Sequence, residues 1–147
     1  MSTDSAVGAT PASDSRRAGN LAVLTGYFDA MAAGGPPATL PFYHPDVVLE
    51  VPGAHAASGR YEGLEGVGEF GARMRAASGG TFSLTPVDLL ASDDHVVTVA
   101  RARAERDGAT LEWDRLILSE VRDGKLVRLR FFESDQAAVD ALLGPPA

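Results

Sequence analysis

Two Asp-Gly dipeptides, Asp107-Gly108 and Asp123-Gly124, stand sixteen residues apart and separate three long segments of alternating character. A two-residue Asp-Gly loop favours the type I′ turn, whose twist matches paired strands. The three segments are therefore expected to form one antiparallel meander. The turns also set the register, and register decides which side chains share a face. Counting from the first turn, Arg103 should face Glu112, Ala102 Trp113, Arg101 Asp114 and Ala100 Arg115. Counting from the second, Leu116 should face Phe131, Ile117 Arg130, Arg115 Phe132 and Asp114 Glu133. A single bulge in either ladder would break this count.

Two faces follow. The first carries Arg101, Arg103, Glu112, Asp114, Leu116, Leu118, Leu129, Phe131 and Glu133. It mixes an aliphatic patch with complementary charges, a combination that suits a subunit interface. Asp114 beside Glu133 could pass for a catalytic carboxylate pair. Arg101 on the same face neutralises it, so structural ion pairing is the better reading. The second face carries Thr98, Ala100, Ala102, Trp113, Arg115, Ile117, Ser119, Arg128, Arg130 and Phe132. Small residues beneath large aromatic ones leave room for a concave, mostly apolar pocket with a few polar groups. Packing against a helix would also explain the alanines.

The rest of the chain supplies what covers that sheet. Leu24, Tyr27, Phe28 and Met31 recur at helical spacing over residues 18–33, before Gly34-Gly35 and Pro36-Pro37. A short helical turn is expected over 38–44, then a strand from Asp46 to Pro52 with Val47, Leu49 and Val51 on one face. The Gly53–Gly59 stretch reads as a loop. A second main helix over 63–77 aligns Leu64, Val67, Phe70 and Met74. Pro86 marks the strand over 81–90 as an edge or a bulge. Residues 135–143 read as a terminal helix with Asp135 at its cap. Helices on one face of a curved mixed sheet make an α+β architecture.

At 147 residues the chain fits one domain with a proper core. Residues 1–17, rich in Ser, Ala, Thr and Asp, read as a disordered tail, and 18–147 as the domain. Thirteen basic residues against 20 acidic, without a basic run, argue against nucleic-acid binding. No stretch has the length and apolarity of a membrane span or signal peptide. The absence of cysteine removes thiol nucleophiles and is compatible with the cytoplasm. His44, His55 and His95 form no recognisable metal motif, so no metal is expected.

Tyr27-Phe28-Asp29, His44-Pro45-Asp46-Val47-Val48, Val51-Pro52-Gly53, Gly59-Arg60-Tyr61-Glu62-Gly63, Arg122-Asp123-Gly124-Lys125 and Asp135-Gln136-Ala137-Ala138 occur in an informative order and spacing. With these segments the chain resembles the SnoaL-like polyketide cyclases and ketosteroid-isomerase-like proteins of the nuclear transport factor two-like superfamily, over residues 18–143. The resemblance implies a cone of curved sheet and helices around a single cavity, commonly in a homodimer. It implies proton transfer next to a carbonyl, ring closure or epoxide opening on small apolar molecules, without a cofactor. The isomerases carry an Asp before the Pro of the first strand, where this chain has Val51. The cyclases carry an acid/base residue on the pocket face of the penultimate strand, where the expected register puts Ile117.

The expected catalytic set is therefore His55 as acid/base, with Tyr27, Arg115 and Arg130 holding developing negative charge. The expected ligand-binding set is Leu49, Val51, Phe70, Met74, Ala100, Trp113, Ile117 and Phe132. His55 could instead be an exposed loop histidine, and the arginines could be consumed by internal acids. Two functions compete. One is a small cofactor-free enzyme of specialised metabolism acting on an apolar, partly anionic molecule. The other is a non-catalytic binding protein using the same cavity. A homodimer through the outer sheet face is expected in either case.

Overall fold

The computed structural model describes residues 11–146, with side chains from residue 14. Residues 1–10 of the expected tail lie outside the described residues. Residues 11–17 form the start of helix α1 (Pro11–Gly34), which begins earlier than its apolar spacing suggests. Asn20 helps hold this end, donating through Nδ2 to the carbonyls of Ser92 and Asp93 at 3.0 and 2.9 Å. After α1 come α2 (Pro36–Thr39), a 3₁₀ turn over Leu40–Phe42, and strand β1 (Tyr43–Val51). Strand β2 (Gly59–Glu62) and helix α3 (Gly63–Ser78) follow, then β3 (Ser83–Ala91), β4 (His95–Arg106), β5 (Ala109–Arg122), β6 (Lys125–Glu133) and helix α4 (Gln136–Leu143). Strand β2 was not expected. At four residues, with only Tyr61 buried, it is too short to show an alternating pattern.

The six strands lie in the order β2-β1-β6-β5-β4-β3, with β1 and β6 parallel and every other pair antiparallel. Both Asp-Gly turns have positive φ at Asp (52° and 54°) and Gly (82° and 72°), as a type I′ turn requires. Strand β3 is an edge strand, and its ladder shifts between Pro86 and Asp88, where proline withholds its N–H. Asp135 caps α4 by accepting from Ala138 N–H at 3.1 Å.

The β4–β5 ladder has the expected register along its length, including Arg103 opposite Glu112 and Ala100 opposite Arg115. The β5–β6 ladder does not. Val121 faces Leu126 but Glu120 faces Arg128, so Val127 is an extra residue and the rest of β6 turns over. Arg115 then faces Glu133, Ile117 faces Phe131 and Leu116 faces Phe132. The expected pairs Ile117–Arg130, Arg115–Phe132, Leu116–Phe131 and Asp114–Glu133 are corrected. The physical cause is burial: an unbulged β6 would drive Arg128 and Arg130 into the core, at the cost of desolvating two cations. The bulge buries Leu129 and Phe131 instead.

The inner face carries two apolar clusters. Helix α1 lies over β3 and β4, while α3 lies over β1 and β2. Between them, Leu24, Leu49, Val51, Ile117, Leu129 and Phe131 form the first cluster, and Tyr27, Phe28, Val67 and Phe70 pack on it while staying half-buried. The second lies where the meander meets α4, with Trp113 over Ala102 and Ala104 beside Met74, Val139 and Leu143.

Candidate functional site

The β6 bulge builds the site's most unusual feature. Glu133 turns inward and meets Arg115, both side chains being almost fully buried. Arg115 Nε donates to Glu133 Oε1 at 2.9 Å, and Nη2 donates to Oε2 at 2.8 Å. Trp113 Nε1 donates to the same carboxylate at 3.1 Å. Three rings surround the guanidinium, with centroids 4.6 Å (Phe131), 5.1 Å (Phe82) and 6.0 Å (Trp113) away. Nη1 of Arg115 has no acceptor among the described residues. Such a two-pronged pair is geometrically fixed.

His55 interacts electrostatically with both members of the pair and is only 1% exposed, which removes the exposed-loop alternative. Its loop is fastened at several points. His55 N–H donates to Ser58 Oγ, which itself donates to Pro52 O, both at 2.9 Å. Ala54 N–H reaches Asp140 Oδ2 at 3.1 Å, and Ala56 N–H reaches Gly144 O at 3.0 Å. Gly53 has φ of 87° and approaches α4 so closely that a Cβ there would collide with Gln136 and Asp140. The imidazole Nδ1 accepts from Ala57 N–H at 3.1 Å, so the neutral ring carries its proton on Nε2. That N–H is buried without a partner. Burial holds the His55 pKa below its ordinary value; Asp140 and Glu133 oppose the shift, and Arg115 reinforces it. His55 is thus a neutral donor at neutral pH.

Tyr27 lies elsewhere. Its hydroxyl is 2.9 Å from that of Tyr43, and its ring meets Phe28, Phe42 and Tyr43 edge-on. Burial raises the pKa of both tyrosines, keeping both hydroxyls protonated. Nearby on the inner face, Thr98 and Ser119 hold buried hydroxyls with no partner among the described residues. Leu49, Val51, Phe70 and Ile117 belong to the first cluster, Met74 and Trp113 to the second, and Ala100 is buried on the face that β4 shares with both. Phe70 contacts Phe131 at 5.6 Å between centroids.

Arg130 and Phe132 are on the outer face, a correction that follows from the bulge. Arg130 Nε stands 3.0 Å from Glu50 Oε1, and its guanidinium lies 5.4 Å from the Phe132 centroid. Glu50 also accepts from Arg128 at 2.9 and 3.0 Å and from Arg60 at 3.2 Å. These cations, Arg128 first, hold its carboxyl below the usual range. Arg101 meets Asp114 at 2.9 Å on the same side. Leu116 and Phe132 remain 44% and 45% exposed among these charges. Where β1 and β6 part, an open groove of about 470 Å³ runs past Val51, Pro52, Phe131, Glu133 and Gln136.

Glu133 was missed because the straight register placed it outside. The signal was present in the adjacent apolar pair Leu126-Val127, both buried, which an unbroken two-residue alternation does not produce. Among the described residues no group of three or more His, Asp or Glu is placed to hold a metal ion. No described helix is long and apolar enough to cross a membrane.

A model of the SnoaL-like domain matches residues 24–129. The chain belongs to the SnoaL-like family. The uncharacterized protein Mb0035 of Mycobacterium bovis is 36% identical over 115 residues, which is 78% of this chain and 88% of that protein. Bal32a, from a soil-derived mobile gene cassette, superposes with a TM-score of 0.80 at 24% identity, covering 88% of this chain and 99% of Bal32a. TerC, co-crystallized with polyporic acid, superposes with a TM-score of 0.76 at 24% identity, covering 85% of this chain and 98% of TerC. The fold is thus NTF2-like, a curved and unclosed sheet with its helices.

Proposed function

We propose that this SnoaL-like protein is a small cofactor-free enzyme. It isomerises, cyclises or opens an epoxide in a small apolar molecule by polarising a substrate oxygen through fixed hydrogen-bond donors. One observation carries the reading: His55 keeps a free Nε2–H, in a fixed tautomer, and interacts electrostatically with the immobilised Arg115–Glu133 pair. A buried, oriented donor coupled to a fixed charge pair is costly for the fold and useful for polarising a substrate oxygen. Because Nδ1 accepts from Ala57 N–H and the ring is neutral, His55 acts as a hydrogen-bond donor that polarises a substrate oxygen. Tyr27 and Tyr43, both neutral, line the other end of the inner face. The fold relative TerC was crystallised with polyporic acid, which supports a small-molecule ligand.

The test is solvent deuterium exchange, followed by NMR, at carbons next to the carbonyl in a panel of ketones. Exchange by the wild type and a loss of about 10²-fold or more in His55→Phe support the enzyme. No exchange with any ketone, alongside saturable ligand binding, favours the second reading, a binding protein. Val51 and Ile117, apolar where the family's acids stand, favour that reading too.

The outer face, with Leu116 and Phe132 exposed, is proposed to pair with a second copy of the chain. Phe132→Glu should then convert a dimer into a monomer in light scattering. An unchanged mass would refute the dimer.

A further inference from the structure

Arg60, Glu50 and Arg130 stand in one row across β2, β1 and β6, because the register puts Arg60 opposite Glu50 and Glu50 opposite Arg130. The Glu50 carboxylate lies 3.2 Å from Arg60 Nη1 and 3.0 Å from Arg130 Nε, so two guanidiniums flank one acid. Arg128 shares the same carboxylate at 2.9 Å. Arg60 has a second acid in Glu62 at 2.9 Å, and Arg128 has one in Glu120 at 3.9 Å. Arg130 has Glu50 alone, and both of its Nη groups lack an acceptor among the described residues. Just past this row β1 ends at Val51 while β6 runs on to Glu133. The open groove of about 470 Å³ lies where they part, and all three residues of the row line it.

We infer that this groove binds a small aromatic carboxylate, with the carboxylate on the free Nη edge of Arg130 and the ring on the apolar wall. The lining charges fit a monoanion. Arg60 and Arg130 face Glu50, while the carboxylate of Glu133 is withdrawn to Arg115, so one added anion balances the groove. A guanidinium fork grips a carboxylate through two parallel hydrogen bonds. The wall fits a ring. Phe132 follows Arg130 on the same face, its centroid 5.4 Å from the guanidinium, and stays 45% exposed. Pro52, whose carbonyl accepts from Ser58 Oγ at 2.9 Å, extends the apolar surface toward β1. The volume falls within the range of small-molecule sites. This site does not rest on the chemistry proposed for the interior.

The probe is benzoate, titrated into labelled protein and followed by NMR at the arginine Nε–H signals. A saturable shift of the Arg130 signal is expected. Benzamide, the ring without the charge, and acetate, the charge without the ring, should each bind roughly tenfold more weakly. Arg130→Gln, followed at the Arg60 signal, should lose about tenfold in benzoate affinity. Arg130→Lys, which keeps the charge but not the fork, should recover only part of it. Should Arg130→Gln not fold, the comparison of benzoate, benzamide and acetate on the wild type still decides. Equal affinity for benzoate and benzamide, acetate bound as tightly as benzoate, or undiminished affinity in Arg130→Gln overturns the site. So does quenching of Trp113 without a shift at Arg130, which would put the anion in the interior. Affinity that falls as protein concentration rises would give the groove to a second copy of the chain and overturn the site too, as would the lack of any saturable shift.

Discussion

The β4–β5 and β5–β6 hairpins begin alike and end differently. Both turn at Asp-Gly with positive φ at both residues. The first keeps one register along twelve residue pairs, from Arg106–Ala109 to His95–Glu120. The second keeps it for two pairs, Arg122–Lys125 and Val121–Leu126, before Val127 bulges out. A turn therefore governs the pairs next to it, and burial governs those farther along. In β4 the inner-face positions Val96, Thr98, Ala100, Ala102 and Ala104 are all uncharged, so the turn and the core agree. In β6 they conflict, because straight pairing would point Arg128 and Arg130 inward. The bulge resolves the conflict and leaves one inward acid, Glu133, whose partner Arg115 stands directly across.

The harshest way to break this contrast is Leu129→Arg, which puts a charge on the inward side of the bulged strand. The bulged register would then bury a cation, as straight pairing buries Arg128 and Arg130, so neither register spares the core. Loss of the cooperative thermal transition is expected, whereas retention of a native-like melt would mean that burial does not set the register. A smaller effect is expected from Glu133→Gln, which strands Arg115 in the core; chemical denaturation should show a loss of about 3–5 kcal/mol. The double variant Arg115→Met, Glu133→Leu should recover much of it, since the buried pair is expensive to desolvate.

His55 is expected to contribute a modest, pH-dependent term. Its folded pKa is depressed, so the unfolded chain takes up the proton first as pH falls. The stability due to neutral His55 is complete above its unfolded value of 6.5 and declines below it. Melting temperatures between pH 7 and pH 5 should fall less steeply for His55→Phe than for the wild type. Parallel slopes would show that His55 is not the buried neutral group. Least of all is expected from the straight hairpin's outer surface. Asp114→Asn removes the exposed contact to Arg101 and should cost under about 1 kcal/mol.

The helices over 18–33, 63–77 and 135–143, the strand ending at Pro52 and the β4–β5 register were all legible, because each rests on local periodicity or turn chemistry. Placing Trp113 and Arg115 inward needed only the first Asp-Gly turn. The inward position of Glu133 and the outward positions of Arg130 and Phe132 were not legible from the second turn. The buried doublet Leu126-Val127 was the available clue. Strand β2 was hidden by its length.

Sequence alone determined the order of elements, the meander and the side of the sheet to which β4 and β5 commit their side chains. These depend on interactions between near neighbours along the chain. Tertiary structure decided where β6 changes face, which acid holds Arg115, and that His55 is buried with its tautomer fixed. Those outcomes depend on comparing the desolvation of charges that lie far apart in the chain, a balance struck only once the sheet and its helices close on one another.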